Sequence, residues 1–233
     1  MRCFNSPLWQ DATRQTIEDG QSRRRISMSY LLRVDTSPRA EASYSRQLAD
    51  ALQSRILKSH GIESVVTRDL AQGPIPHIQQ DTITGFYTPP DAMTPSLVEA
   101  TELSDILIDE LKGATAVLVS APIYNFSMPS SLKAWIDQIV RIGHTFSYDG
   151  ENFGGLVPAS HAYLALSYGA MGYEESGPMR GMNFLEPYLT ALFGFLGVET
   201  VEAFDVQGTT AEEAVVAAAH EAAITRIANR FAA

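Results

Sequence analysis

Only one cysteine, Cys3, occurs in the 233 residues. No disulfide can therefore close within the chain, and a reducing compartment, the cytoplasm, is the expected location. Apolar runs long enough to span a membrane, roughly 18 residues, are missing, so no membrane partner is expected. Beyond the short run Arg23-Arg24-Arg25, clusters of Lys and Arg are missing too, and the formal net charge is −10. That balance argues against nucleic acid as a partner, because nothing is present to neutralise a row of phosphates. A small anion remains compatible, since backbone dipoles can hold one inside an acidic protein. Neither a G-x-G-x-x-G nor a Walker pattern appears, so a dinucleotide has no dedicated fingerprint. The five histidines, His60, His77, His144, His161 and His220, show no metal-ligand spacing.

What is present is an ordinary globular composition, 45% apolar and 19% charged, in a length that suits one domain with a full core. Residues 1–27 carry no periodic apolar pattern and read as a flexible extension, with Met28 as an alternative start immediately before the first strand-like run. Ser22-Arg23-Arg24-Arg25 resembles a twin-arginine leader. The segment that follows is broken by Arg33 and Asp35, so it supplies no hydrophobic region for export. Residues 28–233 are the expected domain.

From Tyr30 onward, strand-like and helix-like segments alternate. Tyr30–Val34 is a short apolar strand ending in the turn residues Asp35-Thr36-Ser37-Pro38. Ser43 is placed to cap a helix with Leu48, Leu52 and Ile56 on one face, closed near Gly61. Ile62–Thr67 reads as a second strand. Ala71–Pro95 holds five of the twelve prolines and no clear period, a long excursion. Thr94-Pro95 then opens a helix with Leu103, Ile106, Leu107 and Leu111 on one face. Ala114–Ala121 is apolar throughout, as a strand covered on both faces should be. Helices over Ser127–Val140 and Met182–Leu196 flank a fourth strand, Ala159–Ser167. A fifth strand, Val198–Val206, precedes a last helix for which Thr210 and Glu213 predict a capping box.

Strands separated by helices imply parallel pairing through right-handed crossovers. The expected fold class is α/β, a flavodoxin-like three-layer sandwich on a five-stranded parallel sheet in the order 2-1-3-4-5. Its crevice lies where strand order reverses, at the C-terminal ends of strands one and three. At the first end, Ser37, Ser43, Tyr44 and Ser45 cluster hydroxyls at a helix N-terminus, suited to a phosphate or to plain helix capping. At the second, Pro122 fixes a turn, Ile123, Tyr124 and Phe126 offer apolar faces, and Asn125 offers an amide. Such a turn can lie along a planar heteroaromatic ring, or its aromatics can be core anchors. A third loop, Ser167-Tyr168-Gly169-Ala170-Met171-Gly172, follows strand four, and its glycines permit close backbone approach.

The loop SPRAEASYS, the stretch PIYNFSMPSSLKAWID, and the segments GHTFSYDGENFGGLV and PYLTALFGFLGV together resemble the FMN-dependent NADH-azoreductases, also called FMN-dependent NADH:quinone oxidoreductases. The resemblance runs from Met28 to about Ala233. It implies one FMN per subunit, with its phosphate at Ser37 and Ser43 to Ser45. Ile123 to Phe126 would flank the isoalloxazine ring, and Ser167 to Ala170 would line its pyrimidine side. It also implies hydride transfer from NADH (or NADPH) to quinones and azo compounds in a ping-pong cycle, with the flavin and no protein nucleophile carrying the chemistry. The family often reads Ser-Arg-Gly-Gly where this chain has Ser167-Tyr168-Gly169-Ala170, a difference that bears on the choice of electron acceptor. A homodimer is implied, in which Tyr148 and Phe195 would complete the partner's site; for Phe195 a core position is the alternative.

Two other readings compete. Ala165-Leu166-Ser167-Tyr168-Gly169 approximates the nucleophile elbow of a serine hydrolase, with Asp205 and His220 following in the hydrolase order. Against it, His220 falls inside a helical stretch and the first glycine is an alanine. A flavodoxin-type electron carrier suits the negative charge, but it has no use for the proline-rich excursion or the aromatic segments.

Overall fold

The computed structural model describes residues 29–232; the expected extension over 1–27 and the start at Met28 lie outside them. Five parallel strands build the central sheet: β1 (Tyr30–Asp35), β2 (Ser64–Asp69), β3 (Ala116–Pro122), β6 (His161–Ser167) and β7 (Thr200–Val206). Their order is β2-β1-β3-β6-β7, which is the expected 2-1-3-4-5 with two short strands intervening in the numbering. Those two, β4 (Phe146–Tyr148) and β5 (Phe153–Gly155), pair as an antiparallel hairpin outside the sheet.

Alternation along the strands sorts the core into two clusters. Leu31, Leu118, Tyr163 and Ala165 pack with Leu48, Leu52 and Ile56 of α1 (Tyr44–His60) and with Ala223 and Ile227 of α6 (Glu213–Arg230). Leu32, Val34, Val117, Val119 and Leu164 point the other way. They meet Leu107 and Leu111 of α3 (Pro95–Gly113), Leu132 and Trp135 of α4 (Ser130–Ile139), and Leu189 and Phe193 of α5 (Glu186–Phe195). Every residue of β3 is buried, as the continuous apolar run requires of a central strand between two helical layers.

Local chemistry sets the helix ends. The Ser43 hydroxyl accepts a hydrogen bond from the Arg46 N–H, and Gly61 closes α1 in the left-handed conformation at φ 60°; only glycine adopts that without a Cβ penalty. Thr94 caps α3 by accepting from the Leu97 N–H, with Pro95 in the first turn. The predicted capping box on α6 does not form. The helix starts at Glu213 after Glu212, because the Thr210 hydroxyl donates to the Gly169 carbonyl at 2.9 Å.

Other elements differ from expectation for physical reasons. The excursion after β2 contains a short helix, α2 (Gln80–Phe86), whose N-terminus is closed by a reciprocal pair between Gln79 and Thr82. On α3 the buried stripe runs through Thr101, Ser104, Leu107, Ile108 and Leu111, leaving Ile106 exposed. The Ser104 hydroxyl donates to the Gln138 carbonyl at 2.6 Å, so a polar residue occupies the stripe with its hydrogen bond made. Helix α4 begins at Ser130 rather than Ser127, and α5 at Glu186 rather than Met182.

Candidate functional site

Three adjacent strands, β1, β3 and β6, release loops at one edge of the sheet, and the chain reverses its direction of travel between β1 and β3. The first loop, residues 36–43, is pinned to the neighbouring strand: Thr36 donates its N–H and its hydroxyl to the Ser120 carbonyl, at 3.1 and 2.8 Å. Pro38 to Ala42 are exposed, whereas Ser37, Ser43 and Ser45 are buried beneath them. The hydroxyls of Ser43 and Ser45 lie 3.1 Å apart, and the Ser37 hydroxyl accepts from the Arg39 N–H at 3.3 Å. The N–H groups of Tyr44 and Ser45, in the first turn of α1, make no hydrogen bond among the described residues. Hydroxyls and free N–H groups at the positive end of a 17-residue helix form a seat for an anion.

A buried ionic network backs this seat. Asp35 sits at the end of β1, only 3% exposed, and accepts from the Ser120 hydroxyl at 2.6 Å and from Arg33 Nε at 3.0 and 3.1 Å. Arg46 forks onto Asp69, at 2.7 and 2.8 Å, and this fork holds the Asp69 carboxyl below the usual carboxylate range. Sequence reasoning missed these residues; charged residues at the ends of β1 and β2 were the signal available.

The second loop continues β3. Pairing with β1 stops at Asp35 and Ser120, while pairing with β6 runs on to Pro122 and Ser167. The missing N–H of Pro122 thus falls where β1 no longer offers an acceptor, and the ladder resumes with Ile123 N–H donating to the Ser167 carbonyl at 2.8 Å. Tyr124 and Ser127 then exchange hydrogen bonds at 2.8 and 3.0 Å, closing a two-residue turn. Its central residues, Asn125 and Phe126, have φ 48° and 70°, the positive values a type I′ turn demands. Asparagine tolerates this conformation; for phenylalanine it costs about 1–2 kcal/mol. The Phe126 carbonyl is held by the Phe184 N–H at 3.0 Å, yet the N–H groups of Asn125 and Phe126 have no partner among the described residues. Tyr124 and Phe126 are 40% and 42% exposed, which rules out the core-anchor alternative for both. Beside the turn, Met128, Lys133, Phe184, Pro187 and Tyr188 help line a cavity of about 350 Å³.

The third loop brings Ser167, Gly169 and Ala170 to the same edge. Tyr168 is different. Its side chain is buried, stacked on Tyr173 with centroids 4.8 Å apart, and its hydroxyl accepts from Asn183 at 3.4 Å. Burial raises its pKa above the usual phenol range. Its side chain belongs to the core, so only backbone from this position borders the crevice.

The hydrolase arrangement is not assembled. Asp205 is engaged by Gln207 and Arg226, and the ring of His220 lies beside Tyr44 at 5.8 Å; no hydrogen bond joins either to Ser167. The β4–β5 hairpin was not foreseen as an element, although Asp149-Gly150 between aromatic residues is a hairpin signal. Phe146, Phe153 and Phe195 cluster there with centroids 4.9 to 6.1 Å apart. Phe195 is 38% exposed, so the core position weighed for it is overturned: it sits at the C-terminal end of α5 and covers the hairpin instead.

FMN asks for a phosphate seat, donors along the ring edge, and space for a flat ring. The unbonded N–H groups of Tyr44, Ser45, Asn125 and Phe126 and the paired serine hydroxyls meet those needs in donor chemistry. Comparisons with known proteins bear on the family and the fold. Residues 29–231 match the family model described as Flavodoxin-like fold. The FMN-dependent NADH:quinone oxidoreductase of Xanthobacter autotrophicus is 50% identical over 175 residues, 75% of this chain and 84% of the relative. FMN-dependent NADH:quinone oxidoreductase 2 of Trichormus variabilis is 37% identical over 206 residues, covering 87% of this chain and all of the relative. An azoreductase structure from Bacillus anthracis superposes with a TM-score of 0.78 over 88% of this chain and 99% of its own, at 24% identity, a likeness of fold. The chain belongs to the FMN-dependent NADH:quinone oxidoreductases, on the Flavodoxin-like fold.

Proposed function

We propose that this protein transfers hydride from NADH, through bound FMN, to quinones and azo compounds, with reductant and acceptor using one site in turn. The observation that carries the reading is the convergence of unbonded N–H groups from the α1 N-terminus and from the 124–127 turn at one sheet edge. When bound, FMN supplies the ring that accepts hydride and gives it up again. The protein's share is seat and shape. Ser37, Ser43, Ser45 and the N–H of Tyr44 would hold the phosphate; Ile123 to Phe126 would border the ring on one side, and Ser167, Gly169 and Ala170 on the other. The N–H groups of Asn125 and Phe126 would favour negative charge on the ring without moving, since the turn is already closed by the Tyr124–Ser127 pair. NADPH is a possible second reductant in this scheme.

The same reading takes residues 28–233 as one reductase domain, in the cytoplasm. It takes the assembly as a homodimer with one FMN per subunit. Support for the dimer comes from the exposed side chains of Phe153, Phe184 and Phe195. Among the described residues no helix is long and apolar enough to cross a membrane.

The test is the visible spectrum of the purified protein, followed by NADH and NADPH oxidation with benzoquinone and with methyl red. A yellow protein, or one activated by added FMN, that oxidises NADH with both acceptors is the expected result. A colourless protein that gains nothing from FMN overturns the reading. A flavin that NADH alone fails to bleach would mark an electron carrier instead.

A further inference from the structure

We propose that Arg46 is a positioning residue that shapes the phosphate seat without touching the phosphate. The inference rests on the FMN reading above. Arg46 lies in the first turn of α1, next to Ser45, where an arginine would ordinarily be taken as the cation that meets the phosphate. Its hydrogen bonds leave no capacity for that. Nε and one terminal nitrogen donate to the Ser37 carbonyl at 3.1 and 2.7 Å. That nitrogen also donates to Asp69 at 2.8 Å, while the other donates to Asp69 at 2.7 Å and to Asp35 at 3.4 Å. A guanidinium has five N–H groups, and all of them are spent. The side chain is only 14% exposed, and two carboxylates neutralise its charge.

What Arg46 does instead is fix a peptide plane. Drawing the Ser37 carbonyl toward the ends of β1 and β2 sets the direction in which the chain leaves for Pro38 and the exposed residues up to Ala42. The Ser37 hydroxyl and the α1 N-terminus then face each other across a loop whose far side is tied to β3 through Thr36 and Ser120. Lysine cannot replace this fork, because its ammonium is a point charge without the planar pair of donors.

Titrations of apoprotein with FMN and with riboflavin, which has the same ring and no phosphate, test the proposal. Arg46→Lys and Arg46→Gln should each weaken FMN binding by about tenfold or more, with riboflavin affinity changed by less than about twofold. Asp69→Asn, which keeps the arginine charge and the side-chain shape, should also weaken FMN. A guanidinium in contact with phosphate predicts the opposite sign, because a competing carboxylate has been removed. Unchanged riboflavin binding and far-UV circular dichroism show that a variant is folded. If Arg46→Lys keeps wild-type FMN affinity, or if Asp69→Asn tightens it, the proposal is overturned while the FMN reading stands. Wild-type protein that binds neither flavin overturns both.

Discussion

At the scale of single residues, backbone conformation limits the sequence of the 124–127 turn. Asn125 at φ 48° accepts glycine but not a β-branched residue. Asn125→Val is expected to destabilise by about 1–2 kcal/mol and to weaken FMN binding, whereas Asn125→Gly stays within about 0.5 kcal/mol of the wild type; urea denaturation of the two variants checks this. Equal losses in both would assign the effect to the amide side chain. His60 gives a pH prediction. Its ring pairs with the Tyr163 hydroxyl at 2.8 Å and lies 4.5 Å from the His161 ring. Burial, with His161 next in weight, lowers its pKa below the ordinary 6.5. The unfolded chain therefore takes up the proton more readily than the folded one. Stability is full above the unfolded value near 6.5 and is lost as pH falls below it and through the lower folded value. His144, lowered by burial and by Arg141, acts in the same direction. Urea midpoints should drop between about pH 7.5 and pH 5.5, and His60→Gln should flatten part of that drop. A flat wild-type profile would refute it.

Among the elements, the hairpin and α5 depend on one close approach. A Cβ on Gly155 would stand 2.2 Å from the Gly197 nitrogen, inside contact distance of backbone that has no side chain to move. Gly155→Ala should therefore push β5 away from the end of α5 and cost about 1–3 kcal/mol, read as a lowered thermal midpoint. Gly181→Ala, with open space around its Cβ, is the matched control and should change little. The same elements show where sequence patterns lose resolution. Gly154 and Gly155 weaken any strand signal in β5, and three-residue strands are too short for a period to register. Helix α2 was hidden because prolines on both sides of it dominate the composition of the excursion. By contrast, Ser43, Gly61 and Thr94 each declare a helix end through chemistry that acts within four residues, and each forms as expected.

For the molecule as a whole, sheet order and the position of the crevice were legible, since alternation of apolar strands with helices restricts the topology to few choices. The three loops were legible too, but the direction of Tyr168 was not: a tyrosine after a strand can face crevice or core, and its stacking on Tyr173 decides. Nor was the network of Arg33, Asp35, Arg46 and Asp69, because its members meet only once β1, β2 and α1 are packed. If FMN binds the folded state alone, ligand at about a hundred times its dissociation constant adds about 2.7 kcal/mol. That should raise the melting temperature by roughly 5–10 °C for a domain of this size, and riboflavin should give a smaller shift. The loops leave the sheet in chain order at residues 36, 123 and 168, and the first is anchored by Ser120 of β3, some 80 residues later. During synthesis, then, the phosphate seat has no floor until β3 has emerged and the crevice has no second wall until β6 follows. Cofactor loading must therefore come after the central strands have assembled.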